Sequence, residues 1–372
     1  MDAFFTSCEE RRNKNLKNKI FVVANRSKSS VVASSNYKAR KLGIKSAMPL
    51  FKAKQILNNL LIIESDLKYY QTISNQIFVF IKKKYTNKIE VTSIDECYLD
   101  VSLIYAKFKN VRGLILNIQK NIFAQFNLTC SIGASFSMFF AKISANINKP
   151  NGYFIITEKN YKQIIDHFKI DIVSGIGKSA QLKLLNLNVK TIKDLKLYLQ
   201  ENYNNKNNVF NSKIIAQKLL NEFNGNFNAN LNLKHIKKSI SVEKTFETNL
   251  SNIDLINLQF EKLLKKLFLE LNSESFLFKT LKIKLKDVNF NVYSFQSNLK
   301  NYSNDFNYVF KKLKSLFKTN WNKNSLRLIG VGFANLKFSF NTFVQEKFLF
   351  EEHSKNDLKT KINKKYQAKI IY

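Results

Sequence analysis

Residues 91–101 read VTSIDECYLDV. Apolar residues flank an adjacent carboxylate pair, Asp95 and Glu96, in a stretch otherwise suited to a buried strand. Neighbouring side chains of a straight strand point to opposite faces, so the pair could not reach one metal together. The alternation offers a way out. Ile89 and Val91 alternate before the pair, and Cys97, Leu99 and Val101 alternate after it. A hairpin turning at Asp95–Glu96 brings both carboxylates to its tip, pointing the same way. Hard cations such as Mg²⁺ take oxygen ligands, few from protein and the rest from phosphate and water. A solvated acidic turn is the plainer reading of the same residues.

The chain has 372 residues, enough for two or three domains, and its 45% hydrophobic content supports a packed core. A net charge of +34 attracts polyanions, nucleic acid first, because each neutralised phosphate releases condensed counterions. A Lys-, Asn-, Ile- and Phe-rich composition is also what an AT-rich genome encodes. Cys8, Cys97 and Cys130 are few and far apart, which argues against a disulfide framework and fits a reducing cytoplasm. His167, His235 and His353 form no pair at metal-ligand spacing, which argues against zinc. No apolar run is long enough to span a bilayer, and the first residues resemble neither a signal nor a transit peptide. A soluble cytoplasmic protein is expected.

With only 2 prolines and 9 glycines, each marks a place where the backbone demands it. Pro49 lies in KSAMP, Pro150 in NKPNG, Gly175 and Gly177 in SGIGK, and Gly330 and Gly332 in LIGVGF. Short strands are expected at 20–24 and 31–33, then a helix from Asn36 to Leu42. Further helices are expected at 67–84, 107–126 and 136–147, with strands at 88–101 and near 128–135. Short helices follow from 157. The Asn-rich segment 201–211 reads as a surface loop, and 224–235 reads as a linker. Beyond it come alternating strands and two amphipathic helices to about residue 340, then a charged tail.

SIDECYLDVS closely resembles the catalytic motif of Y-family DNA polymerases, the translesion enzymes of the DNA polymerase IV (DinB/UmuC-like) type. The resemblance implies a multidomain α+β right hand that transfers a nucleotide from dNTP to a primer 3′ end. It implies Asp95 and Glu96 as catalytic ligands of two Mg²⁺ ions, which activate the 3′-hydroxyl and steady the triphosphate.

Other motifs follow in the family's order. VVASSNYKARKLGIKSAMP (31–49) resembles its triphosphate-binding segment. Ser34, Ser35 and Asn36 are good N-cap residues, Tyr37 and Arg40 share a helix face, and Gly43 is placed to end the helix. By resemblance, Ser34, Tyr37 and Arg40 contact the β- and γ-phosphates. AKISANINKPNGYF (141–154) resembles the palm helix and turn, with Lys149 reaching the triphosphate. Just upstream, Ser137–Met138 stands where the family has Asn-Lys, a departure expected to weaken a local DNA or backbone contact.

FFTSCEE (4–10) resembles the family's first helix, with Phe4 and Phe5 at the nucleotide and Phe5 at the steric gate that excludes a ribose 2′-hydroxyl. VSGIGKSAQLKLLNLNV (173–189) reads as a helix-hairpin-helix, in which Gly175, Gly177 and Lys178 would hold a DNA phosphate. Ser174 stands where the family often has Pro. KKSISVEKTF (237–246) and LRLIGVGFANL (326–336) resemble the edges of the little finger. Between them Lys282, Lys284 and Lys286 share one strand face, a basic stripe for the duplex backbone or merely a solvated face. QEKFLFEEH, from Gln345, resembles a bacterial sliding-clamp peptide, with Gln345, Phe348 and Phe350 as anchors.

The expected domains are palm 1–3 and 67–156, fingers 4–66, thumb 157–227, linker 228–235, little finger 236–340 and a flexible tail 341–372. A monomer acting on primer-template DNA is expected, with no membrane partner. The family's first strand ends in an Asp that bridges both metals, and here Met1 and Asp2 fall just beyond that Asp. The strand is therefore expected upstream of the given start. A catalytically silent DNA-binding scaffold is the alternative, and an unrelated RNA-binding protein would require the ordered motifs to be accidental.

Overall fold

The computed structural model describes residues 1–339 except 28, 204–208, 211–212, 228–229 and 234–235. The clamp-like residues Gln345, Phe348 and Phe350 therefore lie outside the described residues. The chain divides into two compact units, Met1–His235 and Ile236–Tyr372.

The first unit begins with helix α1 (Phe4–Arg12) and a three-stranded sheet of β1 (Phe21–Val23), β2 (Ser34–Ser35) and β3 (Leu61–Ile63). Central β1 runs antiparallel to β2 and parallel to β3. Helices α2 (Tyr37–Lys41) and α3 (Leu50–Ile56) cover it, enclosing a core of Val22, Val32, Ala39, Ile44 and Leu50. The α2 cap is Asn36, whose side chain accepts from the Ala39 amide at 3.0 Å, while Ser34 and Ser35 pair as a strand. Gly43 follows with φ +87°, which favours glycine and ends the helix.

Helices α4 (Leu67–Lys84) and α5 (Val111–Phe126) carry the next core. Tyr70, Ile73, Ile77 and Ile81 recur at three- and four-residue spacing and meet Leu114, Ile118 and Ile122. Burying each Ile or Leu side chain there contributes about 1.5–3 kcal/mol. Asp66 and Asn110 cap the two helices. The expected start of α5 at 107 is instead a 3₁₀ turn, Tyr105–Phe108, because Asn110 takes the cap.

The central hairpin forms as β4 (Ile89–Val91) and β5 (Cys97–Leu99), with Ile89 opposite Leu99 and Val91 opposite Cys97. A second pair, β6 (Ile132–Ala134) and β7 (Tyr153–Ile155), is parallel and joined through α6 (Met138–Ile147). The two pairs do not join into one sheet. Residues of β5 and β6 instead border a cavity of about 220 Å³, closed by apolar residues of α4 and α5. Cys97 and Cys130 line it, and burial pushes both thiols up to about 12, so neither is a ready nucleophile.

Gly133 lets α6 lie directly on β6, since a Cβ there would sit 2.0 Å from the Ala141 carbonyl oxygen and 2.3 Å from the Ala145 nitrogen. Ser137 caps α6 by accepting from the Phe140 amide at 3.3 Å, and its hydroxyl donates to buried Glu222 at 3.1 Å. The family departure at this position thus keeps a helix cap and ties α6 to α10 (Lys213–Asn224). Around it, α7 (Tyr161–Ile165), α8 (Lys178–Asn186) and α9 (Ile192–Asn202) complete a helical core with Leu184, Leu195 and Phe223.

The second unit is a β-α-β-β-α-β arrangement of β8 (Ser239–Leu250), α11 (Ile253–Ser273), β9 (Phe276–Asp287), β10 (Val292–Ser303), α12 (Phe306–Asn320) and β11 (Leu326–Phe338). The sheet order is β10-β9-β11-β8, and neighbouring strands are antiparallel. Phe278, Leu281, Ile283 and Leu285 of β9 pack with Phe260, Leu264 and Leu313 of the helices. That leaves the opposite sheet face to polar side chains.

Candidate active site

Asp95 and Glu96 stand on the turn between β4 and β5. The Thr92 and Ser93 amides donate to the Glu96 carbonyl at 3.0 and 3.3 Å, closing a loop over Ile94 and Asp95. Only Asp95 is therefore at the expected tip, and Glu96 closes the turn. The Ser93 hydroxyl donates to the Asp95 carboxylate at 3.0 Å, and the Met1 amino group donates to the Asp95 carbonyl at 2.7 Å.

One cavity of about 220 Å³ gathers the residues singled out in the sequence for the metal and the nucleotide. Asp95 and Glu96 border it together with Phe4 and Phe5 of α1. Ser34, Tyr37 and Arg40 border it from β2 and α2, and Lys149 from the loop after α6.

The donors are poised rather than committed. The Tyr37 hydroxyl is buried without a hydrogen-bond partner among the described residues. Burial, then the Asp2 charge, raises its pKa above the ordinary tyrosine value, so it remains a donor. An orphaned buried hydroxyl is costly, and an acceptor oxygen of a bound ligand would satisfy it. Arg40 sits with its guanidinium carbon 4.9 Å from the Tyr37 ring centre. Its Nε donates to the Ser35 carbonyl at 2.9 Å, leaving the fork of terminal nitrogens for a ligand.

Phe5 stacks on Tyr70 with ring centres 4.5 Å apart. The Tyr70 hydroxyl donates to Glu9 at 2.7 Å, and Arg12 donates to both Glu9 oxygens. Behind Phe5 there is thus a braced wall. The Lys149 loop is fixed from below by Asp2, only 2% exposed, whose carboxylate accepts from the Ser131 hydroxyl at 2.7 Å and the Asn151 amide at 2.9 Å.

Lys142 of α6 escaped the sequence reading. Its ammonium donates to Glu96 Oε1. Burial works against the Glu96 charge, but the Lys142 hydrogen bond and charge, with Lys149, hold its carboxyl below the usual range. No local pattern marks Lys142, because its partner lies 46 residues away on another element.

Among the described residues no group of three or more His, Cys, Asp or Glu could hold a metal ion. Asp95 and Glu96 do fit one hard cation whose other ligands come from a triphosphate and water. In the helical region, Gly175 has φ +95° and Gly177 caps α8, which starts at Lys178, with open space beside both glycines. In the second unit Lys282 is exposed, Lys284 donates to Glu243 at 2.8 Å, and the Lys286 ammonium lies 5.8 Å from the Phe290 ring centre. The stripe shares its face as expected, but a carboxylate offsets one of its charges.

Residues 1–146 match the impB/mucB/samB family, and residues 237–347 match that family's C-terminal domain. The chain is 33% identical over 353 residues to DNA polymerase IV of Ureaplasma parvum serovar 3, covering 94% of this chain and 96% of that protein. It is 30% identical over 342 residues to DNA polymerase IV of Listeria monocytogenes serotype 4b, covering 91% of this chain and 94% of that protein. A solved Y-family DNA polymerase chimera, Dbh-Dpo4(243-245)-Dbh, superposes with a TM-score of 0.79 at 27% identity, covering 91% of this chain and 98% of the other. Fold, ordered motifs and these likenesses agree: the chain belongs to the Y-family DNA polymerases of the DinB type.

Proposed function

We propose that the chain extends a primer 3′ end on a DNA template, joining a nucleotide from dNTP and releasing pyrophosphate, and that it copies damaged template with low fidelity. The observation that carries this reading is a single cavity bordered by the Asp95–Glu96 pair, the unpartnered Tyr37 hydroxyl, Arg40 and Lys149. Tyr37 donates to a phosphate oxygen, the Arg40 fork and Lys149 neutralise the triphosphate, and Ser34 lies beside them. Phe4 and Phe5 border the sugar, and the Phe5 ring, braced by Tyr70, is the gate against a 2′-hydroxyl.

Asp95 and Glu96 would hold Mg²⁺, which when bound lowers the pKa of the primer hydroxyl and offsets charge on the triphosphate. The expectation of a pair of ions rests on the family resemblance. Gly175, Gly177 and Lys178 bind backbone phosphate, as do Lys282, Lys284 and Lys286. Palm 1–3 and 67–156, fingers 4–66, thumb 157–227 and little finger 236–340 are our domain assignment. The little finger has its own core, whereas Phe4 and Val23 share a core with Tyr70 and Ile118, and Phe140 and Ile156 share one with Leu184. The 345–350 segment is a sliding-clamp peptide, to be tested by removing residues from Gln345 onward and measuring clamp affinity.

A silent DNA-binding scaffold is the second reading. It is favoured by the commitment of Asp2 to Ser131 and Asn151, away from a third ligand's role. Primer extension with a labelled primer, Mg²⁺ and dNTPs separates the two: extension supports the polymerase, and binding without extension supports the scaffold.

A further inference from the structure

Phe290, at the tip of the β9–β10 hairpin, is 61% exposed and holds φ +65°. A bulky residue rarely adopts that conformation, and no core contact compensates it here. The turn enforces it. Buried Asp287 accepts from the amides of Asn289 and Asn291, both at 2.9 Å, and from the Asn291 side chain at 2.9 Å. The Asp287 amide donates to the Asn291 carbonyl at 3.1 Å, and the Phe290 amide donates back to the Asp287 carbonyl at 3.2 Å. The residues on both sides of Phe290 are thus pinned, and its ring projects outward.

Two cations attend the ring. The Arg327 guanidinium carbon lies 4.8 Å from its centre and the Lys286 ammonium 5.8 Å. Most of the aromatic surface still faces water. An open ring with positive charge at its margin matches the chemistry of unpaired nucleic acid, whose bases offer π-faces and whose backbone offers phosphates. In a duplex those faces are hidden in the stack, so the ring discriminates for single strand.

We infer that Phe290, with Arg327 and Lys286, is a stacking platform for an unpaired template base. This rests on the polymerase reading above and adds a template contact to it.

The test uses the full chain and two labelled DNAs, a recessed primer-template with an unpaired template tail and a blunt duplex of equal length. Phe290→Ala should weaken binding to the tailed DNA about fivefold to a hundredfold. Binding to the blunt duplex should stay within about twofold, the spread expected of a surface change. Phe290→Trp should restore the tailed affinity. Phe290→Gly should show the same loss with equal or higher thermal stability, because glycine takes this φ without strain. A 2-aminopurine in the tail should be quenched by wild type and not by Phe290→Ala. Unchanged tailed affinity in Phe290→Ala, or equal loss on both DNAs, overturns the platform. A wild-type chain that binds neither DNA overturns the polymerase reading itself, and the platform with it.

Discussion

The Lys142 ammonium on α6 is bonded to the Glu96 carboxylate on the β4–β5 turn, across 46 residues of sequence. A cation already occupies one face of the carboxylate that would hold Mg²⁺. Removing it strips a competing positive charge from the site, so Lys142→Met should lower the half-saturating Mg²⁺ concentration. For a partly exposed pair worth up to ~1 kcal/mol, the shift is about threefold to fivefold. A Mg²⁺ titration of primer extension reads it, and an unchanged or higher requirement contradicts it.

Phe5 is held by its stack on Tyr70, itself bonded to Glu9. Phe5→Ala should raise ribonucleotide incorporation relative to deoxyribonucleotide by about tenfold to a hundredfold, since it removes the steric block. Tyr70→Leu should raise it less, by loosening the wall behind. Competing rNTP and dNTP insertion at one template base measures the ratio, and no movement in Phe5→Ala would place the gate elsewhere.

Gly133 leaves no room for a methyl group against Ala141 and Ala145 backbone. Gly133→Ala should cost about 1–3 kcal/mol by overpacking. Because α6 carries Lys142, it should also change the Mg²⁺ requirement in the direction of Lys142→Met. Urea unfolding gives the stability, and a wild-type midpoint would refute the close approach.

Asp100 sits at the base of the hairpin. Hydrogen bonds from Ser102, then Lys88 at 3.0 Å, hold its carboxyl down to about 2. A depressed value means the native state favours the ionised form. The contribution is complete above the unfolded carboxyl range, near pH 4, and is lost as pH falls through about 2. Asp100→Asn should therefore destabilise by about 1 kcal/mol at pH 7, with the difference narrowing below pH 4. A difference that stays constant to pH 2.5 would show that ionisation is not its cause.

The hairpin was legible because alternation on both sides of Asp95–Glu96 obeys the period of a strand. The second unit was legible for the same reason, through Leu281, Ile283 and Leu285. Of the three cap candidates Ser34, Ser35 and Asn36, only Asn36 caps the helix, because Ser34 and Ser35 pair with Val23 and Val22 in a strand, partners chosen by tertiary contact. The Lys142–Glu96 bond was hidden because sequence distance carries no record of which helix face meets which turn. The division of β4–β7 into two pairs, with a cavity bordered by β5 and β6, likewise depends on packing and not on local pattern.

The measurement closest to the central claim is single-turnover primer extension by Asp95→Ala and Glu96→Ala beside wild type, with primer-template affinity measured in parallel. The carboxylates act on the transition state and not on the duplex, so extension should fall by about 10³-fold or more with affinity within about twofold. Extension by either variant near the wild-type rate would contradict the assignment of this pair as the catalytic metal ligands.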